Sequence, residues 1–518
     1  MNSQAHWRGG VRSRSRHPVL ASVMLWFAAA CADVDDGFET DEDPAIAWTQ
    51  CAAEGQRCAF TGTREVRFGT RYRYIIRTFS NGVDCNTGVF GDPARGQSKS
   101  CSYGPEQVPT PPTPPPTTSP TLPTQICTSP LAAADTSRPT TVVGTGTPAG
   151  CTDTVLRAAV AKGGIVTFNC GAASTTIAIT QTLIAPWDKD TTIDGNDRIV
   201  LDGRGTTQIL RAYHGDFRVN DRVLTVQRLA MIGGRDIGTG FQARDGSKTC
   251  AWGYRAGGGG AIYTRDVNLR VWGVRFENNR GPELGPDVAG GAIYMMGAKK
   301  LVVANSTFRN NSASNGGAIG VLHVASELYN VVLEQNRASG MLANFANASG
   351  CPTFNHAEQG GAGGLGGAFY SDGFDPGDTF CGVRMADNIA GALGGAVFRS
   401  AYWGLIADSP RQAIVWDRST FERNKTTAGG GGAAYVNNSA FTLRACSFLN
   451  NDAGPGDGGA LKLTGLTVRA ENLQFSNNRA SWGGGVAHWG PGLEGAGSAT
   501  NVRYTTNTPN DYVGDFPH

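Results

Sequence analysis

Charge is scarce in this chain. Of 518 residues only 17% are Asp, Glu, Lys or Arg, and 45 basic against 43 acidic side chains leave a net charge of +2. That leaves no basic field to meet a nucleic-acid backbone, so nucleic acid is excluded as a partner. Apolar spacing at i, i+4 or in heptads is equally thin, and 72 glycines would weaken helix interiors, which sets helical bundles and helical solenoids aside. The one sustained apolar run, Val19 to Ala30, is too short to span a bilayer as a mature helix. No CxxC pair occurs, which removes the commonest zinc-ligand spacing.

The short apolar run has an informative setting. Arg8, Arg12, Arg14 and Arg16 precede it and Ala28-Ala29-Ala30-Cys31 closes it, the plan of an export signal over residues 1–30. A Cys directly after small residues, followed by an acidic spacer over 31–47, resembles a bacterial lipoprotein signal. The resemblance implies lipid attachment at Cys31 and tethering to an outer membrane or cell-surface face without spanning it. Ala28 stands where such signals carry Leu, so free extracellular release is the alternative.

What the chain has in abundance is repetition. FRNNSASNGGAI, Phe308 to Ile319, shows its elements: an aromatic, asparagines, and paired glycines before Ala and an aliphatic residue. Gly-Gly followed by a small or apolar residue returns at Ala261, Ala292, Ala318, Ala368, Ala396, Ala433, Ala460 and Val486. Each copy leads to an apolar-x-x-Asn element: Phe276-Asn279, Phe308-Asn311, Leu333-Asn336, Met385-Asn388, Phe421-Asn424, Phe448-Asn451, Phe475-Asn478 and Tyr504-Asn507. The uninterrupted spacings, from 292 to 318, 368 to 396, 433 to 460 and 460 to 486, are 26, 28, 27 and 26 residues. A fixed period of this size is the signature of a solenoid.

Runs such as LVVANSTF, FTLRACSF and LTVRAENLQF alternate apolar and polar residues and favour β-branched ones, so the coils are built of strands. The fold expected is an all-β, right-handed, single-stranded parallel β-helix over 127–518. The Phe of each element stacks on the next coil's, the Asn turns the corner in the left-handed region and ladders, and the glycines turn another corner. CTDTVLRAAVAKGGIVTFNC, Cys151 to Cys170, predicts an N-terminal helical cap, with Thr152 or Asp153 as N-cap, an apolar stripe of Val155, Leu156, Ala159 and Val160, and Gly163 as terminator.

At this point the chain resembles the pectate-lyase-like β-helix superfamily, and GGAI…FxxN looks like the repeat of polymorphic outer membrane proteins. The resemblance covers roughly residues 130–518 and speaks to fold far more than to activity. Before His518 no barrel segment follows the last coil, so the usual autotransporter plan is not expected. The lyase patterns vWiDH and RxPxxR are absent, as is the NTD…DD…GHG set of the related hydrolases, and no catalytic residue is carried over.

Of the eleven other cysteines, Cys51, Cys58, Cys85 and Cys101 form a compact group fit for two bridges, and Cys151 with Cys170 fastens the cap. Cys250, Cys351 and Cys381 lie in segments that interrupt the repeat, and Cys446 reads as a buried thiol. Residues 105–126, rich in Pro and Thr, make a semi-rigid polyproline spacer. It separates the solenoid from a small disulfide-linked β module over 48–104, read as a β-sandwich. The module looks like those attached to secreted glycan-active proteins, which implies carbohydrate binding. Trp48, Phe68, Tyr72 and Tyr74 are the aromatics that would stack on sugars, with Arg67 or Arg71 donating hydrogen bonds. On alternating strand positions, half of them would instead fill a small core.

Catalysis would require acidic and basic groups gathered on one face, and the period is broken at Gly234–Arg255, Gly281–Val288, Phe345–Gln359, Ser371–Phe380 and Ala401–Gln412. Within these, Asp372, Asp375 and Asp378 have the spacing of a calcium loop without its terminal glutamate; a solvated turn is the alternative. His356 with Glu358 is a candidate acid/base pair. Arg235, Arg244, Lys248 and Arg411 are candidate contacts to an acidic glycan, or simply solubilise loops. Two functions remain: an exported, monomeric protein that binds a polysaccharide or cell-surface glycan, with cleavage as lyase or hydrolase left open, or a non-catalytic adhesin or structural surface protein.

Overall fold

The computed structural model describes residues 48–106 and 123–517, apart from short stretches of which the longest are 243–248, 252–256, 341–362, 402–412 and 492–496. The export signal, the acidic spacer, Cys31 and most of the Pro/Thr spacer lie outside the described residues. Two compact units divide within that spacer, at Val108. Among the described residues no helix is long and apolar enough to cross a membrane.

The first unit is built of β1 (Thr49–Ala53), β2 (Arg57–Cys58), β3 (Thr63–Gly69), β4 (Tyr74–Ser80), β5 (Val83–Asp84), the single helical turn α1 (Thr87–Phe90) and β6 (Ser100–Glu106). Among its described residues the expected sandwich does not form. One antiparallel sheet in the order β1-β6-β3-β4 is accompanied by the β2-β5 ribbon. Bridges Cys51–Cys58 and Cys85–Cys101 and the buried side chains of Val66, Phe68 and Phe90 close a core too small to hold on apolar burial alone.

The second unit is a parallel β-helix. Its 29-stranded sheet winds from β7 (Thr141–Val143) and β8 (Gly164–Phe168) to the last coil. Between them lies α2 (Asp153–Lys162), where Thr152 accepts the Val155 N–H and Gly163 ends the helix at φ 73°. Leu156, Ala159 and Val160 bury against the first coil, whereas Val155 stays 42% exposed, so the apolar stripe is narrower than the sequence suggests. Bridge Cys151–Cys170 fastens this cap.

A typical coil presents three strands, Ile262–Arg265, Asn268–Trp272 and Arg275–Glu277, each pairing in parallel with its counterpart one coil on, Ile293–Met296, Lys300–Ala304 and Thr307–Arg309. In the core, Phe276 stacks on Phe308 at 4.6 Å, Leu333 and Met385 continue the column, and Phe421, Phe448, Phe475 and Tyr504 resume it at 5.0, 4.9 and 5.3 Å. The asparagines ladder as expected, from Asn279 through Asn311, Asn336, Asn388, Asn424, Asn451 and Asn478 to Asn507.

Two details of the repeat differ from the sequence reading. The left-handed corner belongs to the residue before each ladder Asn, such as Asn278 (φ 56°), Gln335 (57°) and Arg423 (50°), because the ladder side chain must turn inward to reach the next coil. And in the last copy Gly485, not Val486, takes the alanine's place, since it accepts the Ala460 N–H. Within a pair the glycines do different things. Gly290 turns the chain at φ 72°, while Gly291 leaves room for the neighbouring coil, whose Gly317 carbonyl oxygen would lie 2.2 Å from an added Cβ.

The segment before β7 forms a strap along the solenoid. Cys127 is bonded to Cys381, 254 residues away. Asn330 accepts the N–H groups of Ile126 and Cys127 at 2.8 and 2.9 Å and donates to the Cys127 carbonyl. Further along, Gln227 exchanges hydrogen bonds with Ala134, and Thr136 donates to Asp194 at 2.6 Å. Among the described cysteines Cys446 alone is a free thiol, buried as expected.

Replacing Cys127 and Cys381 together by Ser should lower unfolding stability in urea by about 2–5 kcal/mol, the worth of a bond closing so long a loop; equal midpoints for the two proteins would contradict this. Asn388→Ala should cost at least about 3 kcal/mol, because it strands two Asn336 donors in a dry core and removes the side-chain bonds to the Leu333 carbonyl and the Asn424 oxygen, the latter keeping only the backbone N–H of residue 388.

Candidate functional site

On the small module, alternation along β3 sorts the candidates. Val66 and Phe68 point into the core with no exposed surface, so Phe68 is a packing residue and not a sugar platform. Arg67 projects from the opposite face, where its guanidinium carbon lies 5.0 Å from the centre of the Trp48 ring and 5.7 Å from that of Tyr74. Register explains the meeting. Arg67 pairs with Ser102 of β6, Ser102 with Gln50 of β1, and Arg67 with Ile76 of β4, so Trp48 and Tyr74, each two residues from a partner of Arg67's row, share its face. All three remain partly exposed. A guanidinium between two ring faces fixes both rings without hiding them. Tyr72 and Arg71 lie outside the described residues.

On the solenoid, the strand that follows each glycine pair has an outward row that is aromatic for much of its length: Tyr263, Tyr294, Tyr370, Phe398 and Tyr435 in successive register, with Gly320 the one break. Tyr294 and Tyr370 are almost wholly buried although they face away from the core, because Asp287 and the corner residues Ala289, Leu365 and Ala392 pack with them. A Cβ on Gly258 would fall 2.5 Å from the Tyr294 ring, and the Tyr294 hydroxyl donates to the Asp287 carbonyl at 2.6 Å.

Beneath this cover the structure assembles carboxylates. The Tyr370 hydroxyl lies 3.2 Å from Asp287 Oδ1 and 3.0 Å from Asp372 Oδ2. Burial, and then the charge of Asp287, push the Asp372 carboxyl up to about 7. Asp378 is pushed up to about 6 by burial, opposed by Arg399, whose Nε is 2.7 Å from its Oδ2. Asp372 is thus hydrogen-bonded to Tyr370 and Asp378 ion-paired with Arg399, while Asp375, between them in the candidate calcium loop, is not described. Asp375, His356, Glu358, Arg244, Lys248 and Arg411 lie outside the described residues. Arg235 is described, in a parallel bridge with Arg280 on the coil below.

One grouping of metal-ligand type occurs among the described residues, Cys127, Cys381 and Asp417. Both sulfurs are taken by the strap's disulfide, and Arg418 pairs with Asp417 at 2.9 Å.

Sequence reasoning missed a third cluster, where the chain turns after the outward row. Trp187, His214, Asp266 and His323 fall in one column by strand register. The Trp187 ring stacks on His214 at 4.3 Å, and His214 Nδ1 is 2.7 Å from the fully buried Asp266. His323, two coils on, packs against Phe217, and burial with Arg218 nearby depresses its pKa to about 4. Only the coil period could have aligned these residues in the sequence, and it is irregular here.

No family model matches this chain, and no curated protein matches it. Among solved structures it is similar to PfbA, a surface adhesin of Streptococcus pneumoniae, with 11% identity over 70% of this chain and 92% of that chain at a TM-score of 0.29. A superposition that loose carries no argument about function.

The buried groups give stability a defined pH dependence. Asp372 binds its proton more tightly folded than unfolded, so its contribution is full below about 4 and is lost as pH rises toward about 7. His323 binds its proton less tightly folded, so its contribution is full above about 6.5 and is lost as pH falls toward about 4. Between pH 4 and 7, then, the melting temperature of Asp372→Asn should rise more steeply with pH than that of the wild type, and that of His323→Gln less steeply. Parallel curves for all three would refute the assignment.

Proposed function

We propose that the protein is an exported surface protein that binds polysaccharide, using the small module as its glycan-binding unit and the β-helix as the scaffold that bears it. The observation that carries this reading is the Arg67 guanidinium set between Trp48 and Tyr74 on the solvent side of a sheet whose other side is the module's whole core. Ring faces take the apolar face of a sugar, and a planar donor beside them takes its hydroxyl or carboxylate oxygens. The Pro/Thr spacer suits a unit that must reach its ligand.

The export signal supports delivery across a membrane, with lipid at Cys31 as the tether and free release as the alternative. Binding without cleavage is favoured over catalysis by the state of the described carboxylates. Asp287, Asp372 and Asp378 are buried and already answered by Tyr370 and Arg399, which is the condition of structural groups.

The test is a glycan array probed with the mature chain from Ala32, with absorbance of unsaturated uronic products recorded in parallel. Retention without new absorbance is expected. Trp48→Ala and Tyr74→Ala should each weaken binding of the retained glycan by about tenfold, on the scale of one lost ring contact. New absorbance would make the protein a lyase, and retention untouched by both substitutions would remove the module from the binding surface.

A further inference from the structure

The outward aromatic row of the solenoid is buried from Tyr263 to Tyr370, whereas its continuation into the first coils is exposed at Ile184 and Arg211. There Ile184, Arg211 and Tyr263 succeed one another in one column, and Tyr213 and Arg265 pair in the next outward column. Tyr213 is 41% exposed. The guanidinium carbons of Arg211 and Arg265 lie 5.4 and 5.5 Å from its ring centre, and Arg265 Nη1 is 3.3 Å from its hydroxyl. Arg211 also lies over Tyr263 at 4.8 Å. Its guanidinium is exposed, and among the described residues no carboxylate forms an ion pair with it.

Beside this pair stands Trp187, 47% exposed, its ring backed by His214. That backing is rigid. Asp266 holds the imidazole through Oδ2, accepts the N–H groups of Val219 and Asn220 through Oδ1, and has no exposed surface. Asn220 in turn donates to the Trp187 carbonyl at 2.8 Å.

We propose that this face, Trp187, Tyr213, Arg211 and Arg265, is a second glycan site, on the solenoid itself, for chains whose sugars carry carboxylates. Two exposed rings fixed by neighbours give stacking surfaces at little entropic cost on binding. Two guanidiniums lie about one of those rings, Arg265 steadied by the Tyr213 hydroxyl and the Asp216 carbonyl, and a carboxylate matches their planar donors. A neutral glycan would find the rings but gain nothing from the paired charge. The inference deepens the glycan-binding reading by naming a ligand class, and it stands on residues separate from the module.

The experiment uses the mature full chain from Ala32 and titration calorimetry with alginate, hyaluronan and polygalacturonate, each beside its carboxyl-reduced, neutral form. The wild type should bind at least one acidic polymer at least tenfold more tightly than its reduced form, and less tightly as salt rises. Arg211→Gln with Arg265→Gln should erase that tenfold preference, Trp187→Ala should weaken both forms, and Trp48→Ala should leave the acidic preference intact. Circular dichroism and melting temperature confirm that the variants fold. An acidic preference unchanged in the double arginine variant, or equal binding of acidic and reduced polymers by the wild type, overturns the proposal while the module's role stands. If no polymer on the array or in the titrations is retained, both fall together.

Discussion

Everything in the solenoid depends on one repeated hydrogen-bond arrangement. In each coil a buried asparagine oxygen accepts both the backbone N–H and the side-chain N–H of the preceding coil's asparagine, while its own amide reaches a carbonyl, as Nδ2 of Asn388 does that of Leu333. A corner buried in a dry core would otherwise leave polar backbone groups unpaired at every turn. Because each asparagine satisfies its neighbour, the ladder fixes coil height and register together. The stacked phenylalanines follow, since the ladder sets each aromatic over the one below.

Register then decides what faces outward. Residues that alternate out of the core on one strand become a continuous column on the surface, so a property repeated once per coil becomes a stripe. The aromatic stripe beside the glycine corners is one result. Where Asp287 and the corner residues Ala289, Leu365 and Ala392 cover it, the tyrosines pack and carboxyl groups are drawn into low-dielectric surroundings. In the first coils, where Trp187 and Tyr213 remain exposed, the same geometry offers rings and charges to solvent.

The strap introduces a different constraint. A bond from Cys127 to Cys381 closes the cap and the first coils into one covalent loop. Asn330, Gln227 and Asp194 accept hydrogen bonds from the strap and hold it along the coils between its ends. A solenoid end is otherwise the first place a repeat protein frays, because each coil is stabilised only by its neighbours.

Much of this was legible in the residues alone. The period of GGA and FxxN specifies stacked strands, an aromatic column and an asparagine ladder, because each depends only on chemistry repeated at fixed spacing. Thr152 and Gly163 delimit the capping helix through local backbone preferences, and the bridges Cys51–Cys58, Cys85–Cys101 and Cys151–Cys170 join cysteines within a short reach of chain. What needed the tertiary structure was whatever joins residues distant in sequence without a period to announce them. Cys127 and Cys381 meet because the strap runs back along the coils, and Arg67 lies between Trp48 and Tyr74 because three strands bring them to one face. Phe68, one residue away, is core, and nothing in its side chain says so. Composition and period determine which interactions a chain can repeat; only the folded register decides which single side chains meet, since a shift of one residue exchanges the inner face for the outer.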